Sequence, residues 1–203
     1  MSQDLIAGSQ PSQVLSLGEM WLAALVRPSM ITYKALIQQP RISAWRSYAW
    51  VFAGSLIGAT IDSLAPFESQ LAERSSIDTL LLAMIPVSSL IAVCSLAAFA
   101  WCTQRVAQLF KGSGTYRQLI YAFAVFNPPL LVAGSILALI PMARVFLVIL
   151  YIYWLGLYVV AVRAVNGISR AMAIAAVLLG LLILGFAWLG VAFLVGYWGL
   201  LLP

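Results

Sequence analysis

Long apolar runs separated by short basic stops set the pattern of this chain, and the lengths of the runs set the expected fold. The hydrocarbon core of a bilayer is about 30 Å thick, and a helix needs about 20 apolar residues to cross it. Residues 119–140 and 142–162 each reach that length, divided by a reversal at Pro141, with Arg144 the one charge and near one end. So short a connection predicts two antiparallel neighbours, a membrane hairpin with the remaining runs packed around it. Residues 48–65, 79–101 and 171–193 predict three further spans. The first holds Gly54 and Gly58 one helical turn apart, a small-residue seam that lets two helix backbones approach closely. The second carries Pro86, expected to bend its helix and free a carbonyl near Leu82. The last begins an apolar stretch, 171–203, without a charged residue. As one helix it would measure ~50 Å, longer than the bilayer core. The pattern therefore predicts a break at Gly196-Tyr197-Trp198-Gly199, with one tilted helix as the second reading.

Before these spans the pattern is different. Residues 1–12 are polar and read as a flexible tail. Within 13–46, Val14, Leu17, Trp21, Leu22 and Leu25 recur at helical spacing, and Met30, Tyr33 and Ile37 do so again after Pro28. These segments are too short to span. With Arg27, Lys34, Arg41 and Arg46 beside them, they predict amphipathic helices in the headgroup plane, their basic side chains against anionic lipid. Ordinary helices packed on the bundle surface are the second reading. The expected fold is all-α: a bundle of five transmembrane helices over 47–203, with interfacial amphipathic helices before it.

Composition supports lipid as the solvent. Apolar residues make up 64% of the 203 and charged residues 8%, against roughly half and a quarter in a soluble domain. The net charge of +5 does not read as a nucleic-acid footprint, because the basic residues stand in short clusters between apolar runs. With five spans, nine of them fall on one side: Arg27, Lys34, Arg41, Arg46, Arg105, Lys111, Arg117, Arg163 and Arg170. Only Arg74 and Arg144 fall on the other. Short cytoplasmic loops collect Lys and Arg, which predicts a cytoplasmic N-terminus and an external C-terminus. The start, Met1-Ser2-Gln3-Asp4, lacks a secretory pattern, so the first span is expected to insert uncleaved. Cys94 and Cys102, about 12 Å apart along one helix, cannot pair and are expected to be small buried side chains.

The chain has no histidine, which removes imidazole-ligated metals, the Ser-His-Asp triad and a histidine proton relay. No cofactor or metal is expected. Four of the six acids lie within 62–78. Asp62 reads either as an intramembrane acid with a function or, preferred, as the membrane exit beside Ser63. Asn127-Pro128-Pro129 is expected to break the third span, the Asn amide bonding a freed carbonyl or a neighbour. Such breaks build midplane sites in transporters, although a packing kink is the commoner outcome. Tyr151, Trp154 and Tyr158 share one face of the fourth span, either lining a ligand path or bonding Asn127 and nearby serines. Gly112-Ser113-Gly114 lacks the Lys-Ser/Thr and preceding strand of a phosphate loop.

Several of these residues together resemble the Yip1-domain family of small polytopic membrane proteins. The resemblance begins in Trp21, Arg27-Pro28, Tyr33 and Gln39-Pro40. It continues in Thr115-Tyr116-Arg117-Gln118, Tyr121-Ala122, Asn127-Pro128 and Leu155-Gly156, and is clearest from Ala161 to Ala171. It implies a five-span bundle with a cytoplasmic N-terminus. Eukaryotic members act in Golgi and endoplasmic-reticulum trafficking and bind Rab-type GTPases and one another. This chain lacks their Asp-Leu-Tyr-Gly-Pro motif and is more similar to prokaryotic members, whose activity is undefined. The expected function is a non-enzymatic membrane organisation, assembly or interaction factor, placed in the bacterial plasma membrane. Its expected partners are the lipid bilayer and a homo-oligomer or another membrane protein. A transporter or lipid translocase built on the polar third span is the alternative.

Overall fold

The computed structural model describes residues 16–38, 43–63 and 74–201, and among them the regular structure is helical throughout. Two short helices, α1 (Leu17–Val26) and α2 (Met30–Ile37), precede α3 (Ala44–Ser63) and α4 (Arg74–Leu109). After them come α5 (Tyr116–Ala138), a single 3-10 turn (Pro141–Ala143), α6 (Arg144–Asn166) and α7 (Arg170–Leu201). Four helices hold stretches long and apolar enough to cross a membrane: Met84–Leu109, Tyr116–Ala138, Val145–Asn166 and Arg170–Leu194. The expected tail 1–12, residues 64–73 of the acidic segment 62–78, with Glu68 and Glu73, and the headgroup candidate Arg41 lie outside the described residues.

At the centre stands α5. In its most apolar stretch 67% of residues are buried, against 11% to 22% in the other three, so α5 is the one helix the others enclose. Its start is fixed by a capping box: the Thr115 hydroxyl accepts from the Gln118 N–H at 3.4 Å, and Gln118 Oε1 accepts from the Thr115 N–H at 3.0 Å. Leu119 through Pro128 are buried in unbroken sequence. A helix apolar all round can be buried all round.

Pro128 and Pro129 sit inside a continuous helix rather than breaking it. Each removes one backbone donor, yet the Asn127 Nδ2 donates to the Phe123 carbonyl at 2.7 Å and keeps that turn tied. The Pro128 ring is accommodated because α3 presents Gly54 there. A Cβ on Gly54 would lie 2.6 Å from both Pro128 Cα and Cβ, closer than atoms can stand. Gly58 packs one turn further on, where a Cβ would be 3.0 Å from Ser135 Oγ. The small-residue seam is therefore the contact between α3 and α5. With the Tyr48 and Tyr116 hydroxyls bonded at 2.8 Å near the two amino ends, α3 and α5 run in the same direction.

The outer helices differ from expectation in two places. α7 continues as one helix to Leu201, without the break expected at Gly196–Gly199, while α4 carries Pro86 inside a single helix. Glycine weakens a helix by only about 1 kcal/mol, whereas unsatisfied backbone in lipid costs several, so continuing the helix is favoured. Both cysteines are free: Cys102 is buried, but Cys94 is exposed on the outside of α4 rather than buried as expected.

α1 and α2 are too short to span, as expected, and each starts at a serine cap: Ser16 to Glu19 N–H, Ser29 to Thr32 N–H. Their inner faces, Met20, Ala24, Tyr33 and Leu36, are buried against the bundle. Tyr33 meets Phe126 edge to face at 6.2 Å, and the Tyr121 hydroxyl reaches Met20 Sδ at 3.3 Å. The Tyr153 hydroxyl bonds the Leu25 carbonyl. One face of each helix is thus packed on the bundle, while Leu22, Val26 and Ile31 remain exposed. Burial holds the Tyr33 phenol above its ordinary range, so it stays neutral.

Candidate functional site

Asn127, Trp154 and Tyr158 converge where α5 meets α6. The Tyr158 hydroxyl donates to Asn127 Oδ1 at 3.0 Å while the other end of the amide holds Phe123 O, so the Asn side chain is engaged at both ends. Around Tyr158 the rings of Phe99, Phe123 and Phe126 stand edge-on at 4.9, 4.6 and 5.0 Å. This is the arrangement in which the positive ring edge meets the negative face, worth about 0.5–1.5 kcal/mol per pair beyond burial. Trp154 stacks on Tyr158 at 6.5 Å and Tyr151 on Trp154 at 6.2 Å, a ladder of near-parallel rings down one face of α6. The three-then-four spacing had placed them on one face.

Two small crevices flank this ladder. One, of about 200 Å³, is lined by Asn127, Trp154, Tyr158, Ser95 and Phe99 among others. A second, also about 200 Å³, is lined by Trp154, Tyr151, Gly134, Ser135 and Asp62. Trp154 faces both. Asp62 is exposed at the carboxy end of α3, one residue before the helix ends at Ser63. Pro128 points away from this site, toward Gly54 and a wholly different apolar groove with Trp21 and Trp50. The structure thus brings Asn127, Trp154 and Tyr158 together, sets Asp62 beside the same tryptophan, and leaves Pro128 outside. Arg27, Lys34 and Arg46 are exposed on α1–α3 and their connections.

A second buried polar cluster had no counterpart in the sequence reading. Gln104 on α4 and Asn166 at the end of α6 exchange amide hydrogen bonds at 3.0 and 3.3 Å. Gln104 Nε2 also donates to the Gly114 carbonyl at 2.6 Å, and the Ser113 N–H donates to the Asn166 carbonyl at 3.2 Å. Gly112 and Gly114 are needed by this knot. A Cβ on Gly112 would meet Asn166 Oδ1 at 2.8 Å, and one on Gly114 would meet the Val165 carbonyl at 2.7 Å. Gly167 then ends α6 at φ 68, in the left-handed region that glycine enters freely. The signal for this knot was present only as polar residues bordering apolar runs.

Compared with known proteins, the chain matches the Yip1 domain family over residues 22–192. No curated protein and no solved structure gives a match.

Proposed function

Because the chain belongs to the Yip1-domain family, we propose that it is a non-enzymatic integral membrane protein that organises or assembles membrane components through helix–helix and lipid contacts. The observation that carries this reading is the Asn127 amide. Both of its ends bond protein groups inside a cage of aromatic rings, which is how a dry structural lock is built rather than a hydrated substrate site. A midplane transport site needs inward-facing polar groups left free to bind. The Asn127 amide offers neither end, and the unpartnered polar atom of this cluster is the Trp154 indole Nε1. We read α3 as a fifth span beside the four apolar ones, with the basic residues on the cytoplasmic side, the C-terminus outside, and the bacterial plasma membrane as the location. Arg27, Lys34, Arg41 and Arg46 are read as headgroup contacts, and a homo-oligomer or another membrane protein as partner.

Purified protein reconstituted in liposomes tests the reading. The expected result is no flux of fluorescent phospholipid or small solutes above protein-free vesicles. Native mass measurement and crosslinking in the membrane are expected to give a defined homo-oligomer or hetero-assembly. Flux that is lost on Asn127→Leu would overturn the proposal in favour of a translocase.

A further inference from the structure

A groove away from Asn127, between α6 and α7, has a volume of about 680 Å³, within the range of small-molecule sites. Its walls are apolar: Ile152, Val159 and Val160 from α6 face Ile174, Val177 and Leu178 from α7. At one end stand two guanidinium groups, Arg163 in the last turn of α6 and Arg170 at the first residue of α7. Arg163 is half-buried and its Nε is in the interior without a hydrogen-bond partner. Among the described residues no carboxylate pairs with either arginine. Pro28 and Tyr153, whose hydroxyl is already taken by the Leu25 carbonyl, also line the groove.

The dimensions fit the charges. From Ile152 to Arg163 along α6 is ~16 Å by helical rise, about half of the hydrocarbon core and so the depth of one leaflet. Two arginines at the membrane surface present forked donors matched to a phosphate, and the apolar trough below them runs in the direction an acyl chain takes. We propose that this groove holds one anionic phospholipid, its phosphate against Arg163 and Arg170 and an acyl chain along α6 and α7. The inference rests on the spanning arrangement proposed above. It adds to that arrangement a single specific lipid site, distinct from the diffuse attraction of the N-terminal basic residues.

Gly156 supplies a variant that fills the trough without disturbing the fold. It lines the groove, and a Cβ there would meet nothing within 4 Å. The experiment is native mass spectrometry of the full chain, delipidated and titrated with phosphatidylglycerol or phosphatidylcholine, with inorganic phosphate as competitor. Retention of phosphatidylglycerol at one equivalent is expected to exceed that of phosphatidylcholine about tenfold. Arg163→Gln with Arg170→Gln and, separately, Gly156→Leu are each expected to remove that preference, while Arg27→Gln with Lys34→Gln leaves it within about twofold. Equal retention of the two lipids, equal loss in the Arg27/Lys34 control, or phosphate competition undiminished in Gly156→Leu would each overturn the site. None of these outcomes depends on the flux assay, so the two proposals fail separately.

Discussion

Asn127 shows how one polar side chain in an apolar run stands out in the sequence while the geometry of its bonds does not. A polar residue between Phe126 and Pro128 is conspicuous, but its partner Tyr158 lies 31 residues away, and only packing brings the two together. Buried hydrogen bonds in membrane proteins contribute about 0.6 kcal/mol on average and up to ~1.7. Tyr158→Phe removes one such bond and leaves Asn127 its Phe123 carbonyl, so a loss of about 0.5–1 kcal/mol is expected. Asn127→Leu removes both and should cost more, about 1–2 kcal/mol, measured by thermal or denaturant unfolding in detergent. A double-mutant cycle should show coupling between the two; strict additivity would mean the bond contributes nothing. A residue-scale pH effect sits at the start of α1. The Ser16 N–H, and secondarily its hydroxyl, hold the exposed Glu19 carboxyl below the usual range. A depressed carboxylate contributes stability that is present above its unfolded pKa and lost as pH falls through the folded one, so α1 should loosen only in acid. Ser16→Ala keeps the backbone donor and should raise the NMR titration midpoint of Glu19 only partway to normal. An unchanged midpoint would show that the hydroxyl plays no part.

Among the elements, the α3–α5 seam was legible as two glycines a turn apart, yet which helix they face was not. A GxxxG pattern records that some backbone comes close, and the partner is set by the fold. Gly54 is the stricter position, since a methyl there collides with the Pro128 backbone and ring, which cannot yield. At Gly58 the nearest atom is a Ser135 hydroxyl that can rotate aside. Gly54→Ala should therefore cost about 1–3 kcal/mol and Gly58→Ala less than about 1, by thermal unfolding in detergent. Equal costs would mean that α3 and α5 separate freely. α5 stays continuous where its prolines predicted a break; the sequence displays the lost donors, while Gly54, the neighbour that leaves room for the Pro128 ring, is a tertiary fact. The Gln104–Asn166 knot was illegible for a like reason, because its members are 62 residues apart and each alone reads as a loop-border polar residue.

For the molecule as a whole, the apolar run lengths were enough to give an all-helical membrane fold, because bilayer thickness fixes them. The standing of α3 is harder, and its physical reason is visible in how its polar residues are used. Its serines and threonine lower the mean hydropathy, but Ser47, Ser55 and Thr60 each return their hydroxyl to a backbone carbonyl three or four residues back. Ser47, Ser55, Gly54 and Gly58 face protein rather than lipid. Outward, between Arg46 and Asp62, the exposed positions are Ala49, Ala53, Ile57 and Thr60, without a charge. A helix that runs parallel to the enclosed α5 with such an outer face is expected to cross the bilayer with it. Single cysteines placed in a Cys94→Ala, Cys102→Ala background decide the matter by labelling intact cells with a membrane-impermeant maleimide. Met142→Cys, at an exposed position, should label from outside, and Gln38→Cys and Ser113→Cys, also exposed, only after permeabilisation. If Gln38→Cys labels from outside like Met142→Cys, α3 does not cross, four spans remain, and the N-terminal basic residues lie on the side opposite the one assigned to them. The Met142→Cys and Ser113→Cys pair, lying at the two ends of α5, would still report the hairpin's direction independently.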